Sequence, residues 1–252
     1  MAARMLGIDI GGTGIKGAIV DTDKGILLSD RIKYPTPKNV TPINAINIAM
    51  KIVKDLEWEG KPIGLGCPAV VREGVTMSAT NIDKSWIGFP VERSFSEIAK
   101  ADVSLLNDAD AAGLAELSFG EVKDVFGVCI LITLGTGIGS ATFIDGVLVP
   151  NTELGMLKMR DGIAEDYATN RVREELDLSW KVWGGYLNDY LKHLEVLFSP
   201  NKIIISGGVC KKFVKYEKYL STELEVVPAK LLNNAGIIGA AMGMQRRLDK
   251  FI

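Results

Sequence analysis

The residues best suited to chemistry in this chain of 252 residues fall in glycine-rich turns and at strand ends. The first such stretch runs Leu6-Gly-Ile-Asp-Ile-Gly-Gly-Thr-Gly-Ile-Lys-Gly-Ala-Ile-Val-Asp21, with Gly11, Gly12, Thr13 and Lys16 between two apolar runs. A turn this rich in glycine lets backbone N–H groups converge on an anion, which favours phosphate. Gly12, Gly14 and Gly17 also spell G-x-G-x-x-G, the pattern of a dinucleotide site. That site requires the glycines to open a helix, whereas here they run into the strand-like Ala18-Ile-Val-Asp21, so the stretch reads as a hairpin. The segment Cys129-Ile-Leu-Ile-Thr-Leu-Gly-Thr-Gly-Ile-Gly-Ser-Ala-Thr-Phe-Ile-Asp145 echoes it at a constant offset close to half the chain, and brings Thr136 and Gly137 to the second turn. Gly207 and Gly208 follow a third buried strand and are expected to start a helix, where the same phosphate argument applies.

Asn107 and Asp108 stand where a strand over 103–106 meets a helix over 107–119. As a cap, either residue contributes roughly 0.5–2 kcal/mol and needs no other explanation. As a catalyst, a carboxylate at the positive end of a helix is held ionised and suits accepting a proton from an alcohol. The sequence leaves both readings open. Two are also open for the loop over 79–88, where Asn81, Asp83 and Trp86 could form a sugar-binding surface or owe their presence to turn chemistry. Glu153, in a turn-prone segment, is either a hydroxyl ligand or an exposed residue.

The elements that must position these groups follow from periodicity. A third strand over 25–33 closes a meander with the first hairpin, and Ile43, Ile46, Met50, Val53 and Leu56 keep helical spacing. Thereafter strands and helices alternate: a strand over 62–67, a short helix over 94–100, then the elements around Asn107. The second half repeats the hairpin, and a helix begins at 165. Trp180, Trp183, Leu187, Tyr190 and Leu194 line the core face of a long helix over 179–197. His193 lies on its flank and carries no assigned role. Val209, Phe213, Tyr216 and Leu220 form the stripe of a helix after Gly208, with Lys211, Lys212, Lys215 and Lys218 as a solvated face or a track for a long anion. A last strand covers 226–229 and a last helix 234–248. The reading is therefore α/β, in two similar halves with a cleft between them: an N-terminal domain over 1–120, on which the C-terminal helix over 234–250 is able to pack back, and a C-terminal domain over 121–252.

Composition narrows the function. Lys and Arg total 29 against 31 Asp and Glu, a formal net charge of −2, so the whole molecule offers no electrostatic case for nucleic acid or a membrane surface, and any polyanion must meet a local patch. The widely spaced Cys67, Cys129 and Cys210 sit in or beside apolar runs and read as buried reduced thiols. With no signal-peptide pattern and no apolar run of membrane-spanning length, a cytoplasmic protein is expected. A single histidine excludes a His-based metal site or a Ser-His-Asp triad.

Asp9-Ile-Gly-Gly-Thr13, Asn107-Asp108-Ala109, Thr133-Leu-Gly-Thr-Gly-Ile-Gly139, Glu153-Leu-Gly155 and Ser206-Gly-Gly208 together, in order over nearly the whole chain, resemble the ROK sugar kinases of the actin-like ATPase superfamily. The runs from Gly11 to Gly17, Asn107 to Gly113, Thr133 to Ser140 and Val149 to Gly155 are similar to the polyphosphate glucokinase branch. The resemblance implies two actin-like (ribonuclease H-like) domains and a hexose kinase acting on the 6-hydroxyl of glucose, with Asp108 as general base. It implies Asn107, Glu153, Glu165 and Asn81 on the sugar hydroxyls, and Asp9 holding Mg²⁺ through water. Along a donor that is polyphosphate, ATP or both, it implies Gly11, Gly12, Thr13, Lys16, Thr136, Gly137, Gly207 and Gly208. A homodimer is implied as well. Met156 departs from the family, which has histidine there, and the absence of cysteine over 156–165 implies no zinc. The alternatives are a non-catalytic sugar or phosphate sensor and an ATP-dependent kinase of another hexose. No helix-turn-helix arm precedes the first hairpin, which argues against a DNA-binding repressor.

Overall fold

The computed structural model describes residues 4–80 and 82–249, so Asn81 lies outside the described residues. By its internal contacts the chain divides into two units, Met1–Phe119 with Asn234–Ile252, and Gly120–Asn233.

The first unit opens with β1 (Arg4–Ile10) and β2 (Ile15–Asp21), paired antiparallel from Arg4↔Asp21 to Ile10↔Ile15, so the first glycine-rich stretch is a hairpin. The expected third strand is broken into β3 (Ile26–Leu27) and β4 (Ile32–Tyr34), which pair with different parts of β2. Between them the Ser29 hydroxyl, not a backbone carbonyl, accepts from the Ile19 amide at 3.0 Å, which interrupts the ladder. There follow α1 (Pro42–Asp55), β5 (Ile63–Cys67), a small hairpin of β6 (Val71–Arg72) and β7 (Val75–Thr76), α2 (Val91–Ala99), β8 (Val103–Asn107) and α3 (Asp108–Phe119). The sheet order is β3-β2-β1-β5-β8, with β4 also on β2, and β1, β5 and β8 run parallel.

The second unit repeats this plan. It contains β9 (Val128–Leu134), β10 (Ile138–Ile144), β11 (Val147–Val149), a small hairpin of β12 (Lys158–Met159) and β13 (Gly162–Ile163), α4 (Glu165–Ala168), α5 (Asn170–Glu175), α6 (Trp180–Phe198), β14 (Lys202–Gly207) and β15 (Glu225–Pro228). Its sheet order, β11-β10-β9-β14-β15, is again an antiparallel meander continued by parallel strands. The long helix buries Trp183, Leu187, Tyr190 and Leu194 on one stripe, as its spacing predicts.

The final helix, α7 (Ala235–Asp249), is grouped by its contacts with the first unit. Its packing is close enough that only glycine fits at several contacts. A Cβ added to Gly7 would collide with the Ile237 carbonyl, one at Gly64 with the Ala240 carbonyl, and one at Gly239 with the Ala111 carbonyl of α3. Backbone therefore rests on backbone, and α3, α7 and the sheet share one seam. On the other face, Leu6, Ile8 and Ile10 of β1 join Ile46, Ile52 and Val53 of α1 and Phe95 of α2 in the unit's core.

The segment after Gly208 corrects the sequence reading. It is a 3₁₀ helix over Gly208–Lys215, followed by another over Glu217–Tyr219, and not an α-helix. Three residues per turn bring Cys210, Phe213 and Tyr216 onto the inner side, where the Phe213 and Tyr216 rings lie 5.4 Å apart and Tyr216 meets Trp183 at 5.0 Å. Lys212, Lys215 and Lys218 then recur at intervals of three along the exposed side.

This seam gives a paired prediction. Gly64→Ala forces a methyl group into backbone and should destabilise by about 1–3 kcal/mol. Gly185→Ala, inside α6 where an added Cβ meets nothing within 4 Å, should stabilise by about 0.5–1 kcal/mol. Thermal unfolding of the two variants beside the parent checks both signs.

Candidate active site

In the first unit the candidate residues gather at the carboxyl ends of the parallel strands, the edge where ligands bind in open α/β sheets. Asp9 is opposite Lys16 across the hairpin and Gly66 across the parallel ladder, while Cys67 is opposite Asn107. The turn Gly11–Gly14 is closed by the Gly11 amide donating to the Gly14 carbonyl at 3.2 Å. Thr36 Oγ1 donates to the Gly11 carbonyl at 2.7 Å and so ties the chain after β4 to the turn. Gly12 and Thr13 are exposed, and nothing would approach a Cβ at Gly12 within 4 Å.

Lys16 Nζ donates to Asp9 Oδ2 at 2.9 Å, with both side chains mostly covered. The same carboxylate lies against the first turn of α7, where a Cβ on Gly236 would come within 3.0 Å of Oδ2. The seam that seats α7 therefore also brings a helix N-terminus to Asp9.

Asn107 is the cap of α3. Its Oδ1 accepts from the amides of Ala109 at 2.9 Å and Asp110 at 3.2 Å, and its Nδ2 donates to the Ala69 carbonyl at 3.2 Å. Asp108 stands half-buried as the first residue of the helix. The Cys67 thiol is pushed well up, first by burial and then by the charge of Asp108, so it is no nucleophile at neutral pH.

The loop over 79–88 departs from a sugar-binding surface in two respects. Trp86 is fully buried and its indole N–H donates to the Val40 carbonyl at 2.9 Å, so it is spent on the core. The Asp83 side chain caps the turn after it, accepting from the Ser85 amide at 2.8 Å, and the Ser85 side chain first and this amide second lower its pKa. Trp86 lines a cavity of about 230 Å³ together with Gly11, Gly12, Lys38 and Pro68.

In the second unit, β9 and β10 meet at a shorter turn, Gly135-Thr136-Gly137, where the Gly135 amide donates to the Gly137 carbonyl at 3.0 Å. Arg171 braces this turn from α5: its backbone amide donates to the Gly135 carbonyl at 3.1 Å and its Nε to the Thr136 carbonyl at 3.0 Å. Gly207 is paired with Leu134 at the adjacent strand end and has φ +84°, and a Cβ there would strike the Leu134 backbone. Glycine is required at 207 by the fold, while Gly208 faces open space. Thr136, Gly137, Gly207 and Gly208 thus share the end of one sheet. Arg171 was missed by sequence reasoning because its role depends on a bond to a carbonyl 35 residues away.

Glu165 opens α4, is buried, and accepts from the Ile138 amide at 3.0 Å, which fixes it at the same turn. Glu153 precedes a 3₁₀ turn over Leu154–Met156. Its carboxyl is pushed up, first by desolvation and then by the charge of Glu165, so the structure brings these carboxylates together. Met156 is 47% exposed. Among the described residues no group of His, Cys, Asp and Glu is arranged as a metal-binding cluster, and no helix is long and apolar enough to cross a membrane.

The Glu153 shift has a consequence for stability. Its proton is held more tightly in the folded than in the unfolded chain, so stability is lost as pH rises from the ordinary glutamate range through the raised folded value. Glu153→Gln removes that loss: it should unfold at a higher temperature than the parent at pH 7–8, with the gap closing below pH 4. Thermal scans across that range check the prediction.

The ROK family model matches residues 5–155. The chain is 44% identical over 237 residues to a polyphosphate glucokinase of Mycobacterium tuberculosis (strain CDC 1551 / Oshkosh), covering 94% of this chain and 89% of the relative. Among solved structures it is similar to the inorganic polyphosphate/ATP-glucomannokinase of Arthrobacter sp. strain KM, with TM-score 0.94 and 43% identity, covering 97% of this chain and 99% of the other. A ROK family glucokinase from Streptomyces griseus in complex with glucose and AMPPNP shares the fold, with TM-score 0.81 and 23% identity, covering 96% and 99%. The paired meander-and-parallel sheets are those of the two-domain actin-like fold, and the chain belongs to the ROK family.

Proposed function

We propose that the chain is a hexose kinase that moves a phosphoryl group from inorganic polyphosphate or ATP to the 6-hydroxyl of glucose. The observation that carries this reading is 44% identity to a polyphosphate glucokinase over 94% of the chain, together with Asp108 at the strand edge that holds the first glycine turn. Asp108 accepts the O6 proton as the new O–P bond forms and the donor's P–O bond breaks, and the shortened donor leaves with the electron pair. Phosphoryl transfer depends mainly on alignment and on neutralising charge, so it needs no covalent nucleophile.

Glu153 and Glu165 receive sugar hydroxyls. Asn107 retains one amide hydrogen beyond the bond to Ala69 and completes that set, as does Asn81. Gly11, Gly12, Thr13 and Lys16 in the first unit, and Thr136, Gly137, Gly207 and Gly208 in the second, bind donor phosphates. Mg²⁺ fits Asp9, because this ion takes one or two carboxylates and fills its remaining positions with water and substrate phosphates. When bound it neutralises charge on the transferring group. Buried free thiols at Cys67, Cys129 and Cys210 support a cytoplasmic setting, and exposed Val196 and Leu197 on α6 support a homodimer.

Asp108→Asn should lower kcat by roughly 10²–10⁴ while glucose still binds. Initial rates with polyphosphate and with ATP, beside glucose binding by calorimetry, check this, and near-normal turnover removes Asp108 from the base role. Met156→His should restore a donor to a sugar hydroxyl and lower the glucose KM by roughly tenfold, the equivalent of one good hydrogen bond. An unchanged KM means that residue 156 does not reach the sugar.

A further inference from the structure

A row of charges crosses the first sheet beside its glycine turn. Asp9 on β1 is directly opposite Lys16 on β2, and Lys16 is directly opposite Lys33 on β4. Directly opposed residues share a sheet face, so one carboxylate and two ammonium groups stand side by side. Lys16 is taken by Asp9 at 2.9 Å. Lys33 is exposed, and among the described residues no ion pair holds it. Like charges in direct opposition cost stability, so the row is poorly matched without an anion.

Lys33 is also placed by contact. A Cβ on Gly14 would overlap Lys33 Cε and lie 3.3 Å from its Cγ, so the lysine chain crosses the glycine and its ammonium follows one bond beyond. The absent side chain at Gly14 is what admits it. Thr36, three residues after Lys33, holds the Gly11 carbonyl, which keeps β4 against the turn. Across the turn Gly12 is open, and Lys38 borders the same cavity as Gly11 and Gly12.

We propose that Lys33 is a ligand of the phosphoryl donor, its ammonium reaching across Gly14 to phosphate oxygens held at the first glycine turn. The proposal rests on the kinase reading for the identity of the anion. Its chemistry is that of a mobile point charge on a multiply charged phosphate chain: Lys16 is shared with Asp9, and Lys33 adds a further positive charge beside it. The sequence alone places Lys33 only in a strand; the register with Lys16 and the contact with Gly14 assign it to the turn.

Lys33→Met keeps an unbranched chain over Gly14 and removes the charge. Its KM for polyphosphate and for ATP should rise about tenfold, as for a lost charge-assisted hydrogen bond, while the glucose KM holds. Lys33→Arg should recover most of the donor affinity. Independently of turnover, tripolyphosphate should raise the unfolding temperature of the parent and of Lys33→Arg more than that of Lys33→Met. Equal donor KM and equal tripolyphosphate shifts in parent and Lys33→Met overturn the proposal. If the parent makes no sugar phosphate but its tripolyphosphate shift depends on Lys33, the kinase reading fails and the anion site stands.

Discussion

Backbone-to-backbone packing of the last helix on the first sheet is the constraint on which this site depends. Gly7, Gly64 and Gly239 leave no room for a methyl group, so α7 lies directly against β1, β5 and α3. The benefit of that seam is electrostatic as well as steric. It delivers the first turn of α7, at Gly236, to the Asp9 carboxylate, and it does so from the far end of the chain. A side chain at any of these glycines would push the helix off the sheet and withdraw its first turn from the Asp9 carboxylate. The net charge of −2 makes this local arrangement necessary, since the molecule as a whole does not attract polyanions.

The two units solve the same problem with different residues. Both build a meander followed by parallel strands and place a glycine turn at the sheet end. In the first the turn is four residues long and is held by Thr36 from the chain after β4; in the second it is three long and is braced by Arg171 and Glu165. The Asp9 of the first hairpin has Thr133 as its counterpart in the second, and its hydroxyl accepts from the Gly139 amide at 3.2 Å. Asp21 and Asp145, which also correspond, are turn residues: Asp21 accepts from the Asp23 and Lys24 amides and Asp145 from that of Gly127. The repeat thus preserves the architecture and changes the side chains, with Asp9, Lys16 and Lys33 beside the first turn and Arg171 and Glu165 at the second.

Both hairpins and the alternation after them were legible in the sequence because strand alternation and clustered glycines are local signals. The 3₁₀ segment after Gly208 was not, since its aromatic and lysine positions satisfy a period of 3.6 about as well as a period of 3 until Phe213 and Tyr216 are seen packed against Trp183 and Trp180. Trp86 carried a surface reading because nothing local reveals that the Val40 carbonyl, 46 residues away, takes its N–H. For Asn107 and Asp108 the sequence held two roles, and the structure assigns the cap to Asn107, whose oxygen accepts from the Ala109 and Asp110 amides. Lys33 and Arg171 acquire meaning only through register and tertiary contact, which a linear reading does not contain.

The central claim is the proposed one, that Asp108 at its strand edge assists phosphoryl transfer to glucose. Phosphorus NMR of the purified protein with glucose, Mg²⁺ and long-chain polyphosphate, and separately with ATP, follows donor and product in one spectrum. The account predicts glucose 6-phosphate growing in as the donor signals recede; donors left intact in both samples, with no sugar phosphate, would contradict it.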